Sequence, residues 1–367
     1  MARPALLDRL VPVPPAVVRR LAIATVIAQA GIAVTGSIVR VTGSGLGCPT
    51  WPQCFPGSLV PTPHPEVAAL HQWVEFGNRL LTFAVVAVTG LCFLATLGTR
   101  PRRPRLVRLA LVQPLGVVAQ AVIGGFTVLL GLVWWSVSVH FLVSMALVWL
   151  GVVLVDAATP SPGSPTSEAA GGQAAGLRLT TASGEREGPP RPVVPRAVRA
   201  LTGTSTAVLG ALLLAGTFVT AAGPHSGDAD TPRLAAGVPA MAQLHADLLF
   251  GYLGLLVGLG FALRAVTAPA GLLRRYAVLV VAVLLQGVVG GVQYALGVPE
   301  ALASLHVLGA ALVTVAAAAV WTGTAPRGPV ESPPTPPRPG DATPAEPPPR
   351  GATPPDVADR PALAERS

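Results

Sequence analysis

The chain has 367 residues, of which 51% are hydrophobic and only 11% are charged. A soluble domain is typically about a quarter charged, so this composition excludes an ordinary soluble protein and predicts a polytopic membrane protein. The formal net charge is +8. All of the cationic residues are arginines, and we attribute this charge to membrane topology and contact with a lipid bilayer, with no nucleic-acid partner.

Eight apolar runs follow one another along the chain, each long enough to cross the hydrocarbon core, which takes about 20 residues. The stretch 109–155 contains no Asp, Glu, Lys or Arg, and we interpret it as two helices joined by a tight turn near Gly131 to Trp135. The sequence therefore predicts an all-α protein with eight transmembrane helices. The runs lie near residues 21–39, 76–98, 109–130, 132–155, 201–222, 241–263, 276–296 and 301–323.

Arginines are concentrated in alternate segments between these runs. The N-terminal segment and the second, fourth and sixth loops are rich in Arg, whereas the intervening loops are nearly free of it. By the positive-inside rule we expect a multi-pass protein of the cell membrane with both termini in the cytoplasm. The first run is longer than the apolar core of a typical signal peptide and no clear cleavage site follows it, so we expect a retained helix.

Composition also divides the chain into five segments. Two of them are rich in Pro, Gly, Ser, Ala and Arg, cannot bury a core, and are predicted to be disordered. The segments are a cytoplasmic N-terminal segment (1–16), a first four-helix half (17–156), a disordered cytoplasmic linker (157–197), a second four-helix half (198–323) and a disordered cytoplasmic tail (324–367).

Two cysteines share the first outer loop, "TGSGLGCPTWPQC", which ends at Cys54. An outward loop is oxidising, so we expect Cys48 and Cys54 to form a disulfide. A metal site made by this pair and His64 is a weaker alternative, because too few ligands have suitable spacing. Cys92, in the middle of a predicted helix, is interpreted as core.

The segment "HQWVEFGNRLL" (71–81) places His71, Glu75 and Asn78 on one helix face. Ionisable groups inside a membrane span are costly and usually mark a function, so Glu75 is the candidate proton acceptor or charge stabiliser. The alternative is an ion pair with Arg79 four residues on.

The second half repeats parts of the first. "QAVIGGFTVLLGLVWWSVSVH" ends at His140, and "QGVVGGVQYALGVPEALASLH" ends at His306 with the same Gln to Gly-Gly to His spacing. "HQWVEFGNRLL" is echoed by "HADLLFGYLGLL" from His245, with a glycine six residues after each histidine. The repeat predicts two pseudo-symmetric four-helix bundles.

Each predicted half thus has one histidine near the start of its second helix and one near the start of its fourth. A haem held between facing helices needs one axial histidine from each, so four histidines at matching positions favour two haem sites, one per half. A single membrane histidine is more often a hydrogen-bonded packing residue. The remaining histidines, His64 and His225, lie in outer loops and are interpreted as solvated. Arg40 and Arg79 are candidates for binding haem propionates. The alternative is that both arginines only extend their charged ends to the membrane interface.

These motifs together resemble the haem A synthase family, over about residues 17–323. The resemblance is carried by "GSIVRVTGSGLGCPTWPQC", "HQWVEFGNRL", "SVSVHFLV" and "LASLHVLG". It implies two four-helix halves, the first acting on the substrate haem and the second carrying a haem b that passes electrons. By the same resemblance Glu75 matches an essential glutamate, and His140 and His306 match haem ligands.

One position departs from the family pattern. Other members have a histidine ligand three residues after the glutamate, where this chain has Asn78, and the sequence repeat places Tyr252 at the equivalent position of the second half. The repeated histidines lie seven residues upstream on the same face, about 10 Å along the helix. We expect them to supply the missing ligands, which pairs His71 with His140 on the substrate haem and His245 with His306 on haem b.

The expected reaction is oxidation of a methyl group of haem O to the formyl group of haem A, with water as the oxygen source and a membrane electron acceptor such as a quinone. Expected partners are haem O synthase and assembly factors of terminal oxidases. The alternative is a non-catalytic dihaem b-type cytochrome that takes electrons from a quinol, which leaves Glu75 and the Cys loop unexplained. A transporter is weaker still, because nothing resembles broken helices.

Overall fold

The computed structural model describes residues 11–159 and 193–325. Within these ranges the chain forms eight helices long and apolar enough to cross a membrane, which confirms the predicted all-α membrane fold. Residues 1–10, 160–192 and 326–367 lie outside the described residues, and with them most of the linker and tail predicted to be disordered. The helices are α1 (Pro15–Val41), α2 (Ala69–Leu97), α3 (Pro104–Leu129), α4 (Trp134–Ala158), α5 (Arg196–Ala222), α6 (Val238–Ala265), α7 (Ala270–Ala295) and α8 (Glu300–Gly323).

Most of these helices extend beyond the predicted apolar runs at their N-terminal ends. α1 includes Arg19 and Arg20, and α5 begins inside the predicted linker. A helix satisfies its own backbone hydrogen bonds, so it can continue past the hydrocarbon into the polar interface. Proline occupies the first turn of α1, α3 and α6, where its missing N–H is not needed.

The first four helices close into a ring, in which α1 packs on α2 and α4, and α3 also packs on α2 and α4. Val18, Cys92, Leu106 and Leu154 are buried together inside this ring. Cys92 is therefore a buried free thiol in an apolar core, as predicted. Farther along the bundle, Gln29 Nε2 donates to Gln113 Oε1 at 3.1 Å, so these two buried amides satisfy each other.

The second half is built from the pairs α5–α6 and α7–α8, while α6 and α7 meet only over a short stretch. Its core contains Tyr252, Leu256, Leu259 and Leu263, all of them on α6 and nearly inaccessible. α8 also packs on α1 and α4, and α5 packs on α4, so the two halves share a packed interface. The pseudo-symmetry of the halves stays a prediction.

Two long loops lie at the end of the bundle where α1 and α5 finish. The first long loop (residues 42–68) joins α1 to α2, and the second long loop (residues 223–237) joins α5 to α6. The Gly45 N–H donates to the Gly227 carbonyl at 2.8 Å, which ties the two loops together. This end of the bundle also contains His71, His140, His245 and His306, each in the first third of its helix.

Candidate functional site

His245 and His306 face each other inside the second half. The centroids of their rings lie 6.3 Å apart, with an angle of 61° between the ring planes. His245 Nδ1 lies 3.0 Å from the Leu212 carbonyl oxygen. Because a carbonyl oxygen can only accept, Nδ1 carries the proton of the neutral ring, and the lone pair of Nε2 is left to bind a metal.

Glycines allow both imidazoles to lie directly against a neighbouring helix. A Cβ atom on Gly216 of α5 would lie 3.1 Å from His245 Cε1, and one on Gly290 of α7 would lie 2.9 Å from His306 Cε1. His306 Nδ1 is buried and has no hydrogen-bond partner among the described residues.

The separation of the two rings fits an iron atom between them. A metal–imidazole bond is about 2 Å long and the nitrogen lies about 1 Å from the ring centre, so two axial rings on one iron have centroids about 6 Å apart. The observed 6.3 Å is close to that value. The spacing of these two imidazoles therefore fits two histidine ligands on one haem iron.

In the first half, His140 has the surroundings that His306 has in the second. A Cβ atom on Gly124 of α3 would lie 3.2 Å from His140 Cε1. Gln120 Nε2 donates to the His140 carbonyl at 2.9 Å, and Gln286 Nε2 donates to the His306 carbonyl at 2.8 Å. His140 Nδ1 is also buried, with no partner in the part of the chain that the structure describes. The repeated Gln to Gly-Gly to His spacing thus corresponds to one local geometry that occurs twice.

Asn78 in the first half and His245 in the second each lie next to a glycine of the preceding helix. A Cβ atom on Gly36 of α1 would lie 4.0 Å from Asn78 Nδ2, just as one on Gly216 of α5 would contact His245. Asn78 Oδ1 accepts a hydrogen bond of 2.7 Å from Thr35 Oγ1. The first helix of each half therefore presents a glycine to the second helix, and the residue it meets is an amide in one half and an imidazole in the other.

The helix register agrees with this correspondence. α2 ends at Leu97 and α6 ends at Ala265. Measured back from these ends, Asn78 and His245 lie at nearly the same position, whereas His71 lies about two turns farther from the end of α2. The sequence repeat had matched His71 with His245 and Asn78 with Tyr252. That alignment is shifted by two helical turns from the one given by the helix ends, which matches Asn78 with His245. Tyr252 is instead 1% exposed within the core of the second half.

His71 lies at the first long loop. It is the third residue of α2, and its Nδ1 lies 2.9 Å from Ser44 Oγ. Ser44 Oγ is in turn 2.8 Å from Thr42 Oγ1. The structure thus places His71 nearly two turns from Asn78, and the pairing of His71 with His140 on one iron stays a prediction.

Glu75 is buried, with 5% of its surface exposed, and groups from two directions hold its carboxylate. Oε2 accepts the Cys48 N–H at 2.6 Å. Oε1 accepts from both Nε and Nη2 of Arg79, at 3.1 and 2.6 Å. The ion pair with Arg79, which was the alternative interpretation of Glu75, is therefore formed.

Arg79 has no donor left for a haem propionate. Besides its two bonds to Glu75, its Nη1 donates to the carbonyls of Thr50 and Gln53, and its Nη2 donates to the Cys48 carbonyl at 2.7 Å. A guanidinium has five N–H donors, and these contacts use all five. Arg79 thus fastens the first long loop to α2.

Arg40 also binds protein acceptors, because its Nε donates to the His225 carbonyl at 2.7 Å and its Nη2 to the Thr220 carbonyl at 3.3 Å. His225 was predicted to be solvated, but this interpretation is wrong: its Nε2 lies 2.8 Å from the Val298 carbonyl. The two residues connect α1 with the second long loop and with the turn before α8. The structure therefore shows Arg40 as a bridge between the halves.

The predicted disulfide between Cys48 and Cys54 is formed. His64 is exposed and stacks on Phe55, with ring centroids 4.9 Å apart, so the alternative of a metal site with His64 is not formed. No group of three or more metal-binding side chains occurs in residues 11–159 and 193–325. Within the segment closed by the disulfide, the Trp51 ring lies against Gly125 of α3, next to the glycine that contacts His140.

Three residues that contact His245 or Asn78 were not predicted from the sequence. Leu212 and Gly216 contact His245, and Gly36 lies next to Asn78. One signal could have found the glycines, since Gly36 and Gly216 each lie seven residues before another glycine, Gly43 or Gly223, near the helix end. The contact between Trp51 and Gly125 has no such signal.

A family model matches most of the chain. It is described as COX15-CtaA, cytochrome oxidase assembly protein, and it matches residues 19–318. The matched range begins in α1 and ends in α8, so it includes Glu75, the Cys48–Cys54 disulfide and all four helical histidines.

Curated relatives are similar over shorter stretches. A stretch of 139 residues is 30% identical to "Heme A synthase" of Shouchella clausii (strain KSM-K16), covering 37% of this chain and 44% of that protein. A stretch of 97 residues is 29% identical to "Heme A synthase" of Geobacillus kaustophilus (strain HTA426), covering 26% of this chain and 29% of that protein. The matches thus span less than half the length of these relatives.

Proposed function

This chain belongs to the COX15-CtaA family of cytochrome oxidase assembly proteins, and on that premise we propose that it is a haem A synthase, an enzyme that oxidises a methyl group of haem O to the formyl group of haem A. The curated relatives that carry the name heme A synthase support this assignment. We assign the substrate haem to the first half and a haem b to the second half.

In the second half, His245 and His306 would hold the iron of haem b. When bound, this haem supplies a one-electron carrier. The Leu212 carbonyl accepts the Nδ1 proton of His245, which fixes the orientation of the ring and makes Nε2 a better ligand. The spacing of the two imidazoles, 6.3 Å between centroids, is the observation that carries this assignment.

In the first half, His140 would bind the iron of haem O. The disulfide-closed segment lies over this part of the bundle, because Trp51 contacts Gly125 beside the glycine that supports His140. A covered site holds a large rigid substrate in one orientation and limits the access of water. The first long loop is thus part of the substrate site.

Glu75 acts beside the substrate as a charge stabiliser or proton acceptor. It lies three residues before Asn78, nearly one turn closer to the loop. Each carboxylate oxygen has two lone-pair sites, so the contacts with Cys48 and Arg79 leave acceptor capacity for an oxidised substrate intermediate. Arg79 and the loop hold the carboxylate in place, which removes the need to order it during the reaction.

The remaining parts of the proposal concern orientation and partners. The Arg-rich segments lie on the cytoplasmic side, which places the two long loops and the haem sites toward the opposite face of the cell membrane. Haem O synthase supplies the substrate, and assembly factors of terminal oxidases receive the product. Water supplies the formyl oxygen, and the electrons leave through the second half to a membrane acceptor of the quinone type.

Co-expression of the chain with a haem O producer tests the proposal. We expect haem A in pigment extracted from the purified protein and none in cells that lack the chain. Haem O without haem A would contradict the enzymatic assignment. Haem b as the sole pigment would contradict it as well and would favour an electron-transfer cytochrome.

A further inference from the structure

The two halves differ at the residue that faces the haem from the second helix. We propose that the iron of the substrate haem has a single protein ligand, His140, and that Asn78 leaves the opposite axial position open to a small ligand. This inference rests on the proposed function, because it takes the first half to be the site that binds haem O.

Two observations support a position of Asn78 opposite His140. The glycine that supports His245 in α5 has its counterpart in Gly36 of α1, and Gly36 faces Asn78. His140 and His306 share the same glycine contact and the same glutamine hydrogen bond. His245 faces His306 across the second half, and from the correspondence of the two halves we infer that Asn78 faces His140 across the first half.

The amide of Asn78 is a poor axial ligand. Haem iron prefers imidazole to a neutral carbonyl oxygen, which suits harder cations. Asn78 Oδ1 moreover already accepts the Thr35 hydroxyl at 2.7 Å. The amide nitrogen has no lone pair for a metal, but its N–H groups have no acceptor within the described parts of the chain and can donate to a small ligand on the iron.

His71 lies too far away to take the place of the missing imidazole. It is seven residues before Asn78 in α2, about 10 Å along the helix axis, whereas a bond between iron and a histidine nitrogen is about 2 Å long. Its Nδ1 is also in contact with Ser44 of the first long loop. A haem bound by His140 at the level of Asn78 therefore lies out of reach of His71.

This difference suits the two roles assigned to the halves. Two histidine ligands retain a haem that remains in the protein as an electron carrier. One ligand retains a haem less strongly, which suits a substrate that must enter and leave, and the open position admits a small molecule to the iron.

The test is a titration of the purified full-length chain with ferric haem b, followed by absorption and electron paramagnetic resonance spectra. We expect two haems per chain, about half of the bound haem being high-spin, as expected for a single imidazole ligand, and half low-spin. After reduction, we expect carbon monoxide to bind to about half of the haem. Binding of one haem per chain, or of two haems that are both low-spin, would overturn the inference.

Three variants identify the ligands. Asn78→His supplies the missing imidazole, so the high-spin signal should change to low-spin while the original low-spin signal, which reports an intact second half, stays. His140→Ala should remove the high-spin haem. His71→Ala is the matched control, since it removes an imidazole from the same helix and should leave both signals unchanged. Loss of a low-spin signal in His71→Ala would show that His71 is a ligand after all.

These outcomes are distinguishable from failure of the proposed function. If the chain shows one high-spin and one low-spin haem but co-expression yields no haem A, the enzymatic assignment is wrong and the ligand assignment stands. If haem A forms while both haems are low-spin in the unaltered chain, the enzymatic assignment stands and the ligand assignment is wrong.

Discussion

The Glu75 carboxylate is held from two directions. Because of this arrangement, the charge of Glu75 can be removed without removing all of the contacts that hold the first long loop on α2. Arg79 retains three loop carbonyls as acceptors when the charge of Glu75 is removed, namely those of Cys48, Thr50 and Gln53. A neutral amide at position 75 can also still accept the Cys48 N–H. Substitution by glutamine should therefore leave the loop in place and change chiefly the charge beside the substrate.

We expect Glu75→Gln to bind haem normally but to convert haem O poorly. Loss of an acid–base or charge-stabilising group typically costs about 100-fold or more in rate. The ratio of haem A to haem O in extracted pigment measures this loss. Glu66→Gln, which removes an exposed carboxylate from the first long loop, is the matched control and should not change the ratio. An unchanged haem A yield in Glu75→Gln would refute the proposed role.

At the scale of the helices, register decides which side chains face the haem sites. The number and order of the helices could be predicted, because each must contribute about 20 apolar residues to the hydrocarbon core. Which residue of α2 corresponds to which residue of α6 could not be predicted. An alignment shifted by seven residues is shifted by two helical turns, so it keeps the same residues on the same face and looks equally good in the sequence. The first long loop (42–68) is also much longer than the second (223–237), so loop length gave no guide to the register.

Part of the candidate functional site could also be predicted from the sequence, and part could not. Glu75 and the Cys48–Cys54 disulfide follow from charge and spacing in the sequence. The saturation of Arg79 could not be predicted, because its acceptors include backbone carbonyls whose positions depend on how the loop folds. Nor could the contact of Trp51 with Gly125, which depends on how that loop packs against α3.

α5 lies close to His245 at Gly216, so the substitution Gly216→Ala should crowd the imidazole. The added methyl group would press on the imidazole at 3.1 Å, and crowding of a packed site costs about 1–3 kcal/mol. We therefore expect the second half to bind haem b about 5- to 150-fold more weakly, measured by haem titration. Gly210→Ala lies on the same helix with nothing within 4 Å of the added atom, and it should bind haem as the unaltered chain does.

Removal of the disulfide should loosen the first long loop without dissolving the bundle. Its cysteines are six residues apart, and a ring of this size stabilises a fold by about 2 kcal/mol. In Cys48→Ser with Cys54→Ser we expect faster proteolysis of the loop and a lower haem A yield, since the Cys48 N–H that binds Glu75 is less well placed. Cys92→Ala, at the buried free thiol, is the control and should leave proteolysis of the loop unchanged.

At the scale of the whole molecule, the distribution of arginine predicts the orientation in the membrane. A green fluorescent protein fused after Ser367 should fluoresce, because that end is expected in the cytoplasm. Alkaline phosphatase inserted after Gly57, an exposed residue of the first long loop, should be active. An inactive phosphatase at Gly57 together with an active one after Ser367 would show the opposite orientation.

The hydrogen bonds of Arg40 and His225 form a non-covalent bridge between the two halves. Arg40 belongs to α1, His225 belongs to the second long loop, and its ring reaches the turn before the helix that carries His306. Because α8 also packs on α1 and α4, we expect the two halves to stay together when the chain is cut between residues 159 and 193. Two polypeptides divided within that interval and produced in the same cell should accordingly assemble and co-purify as one complex.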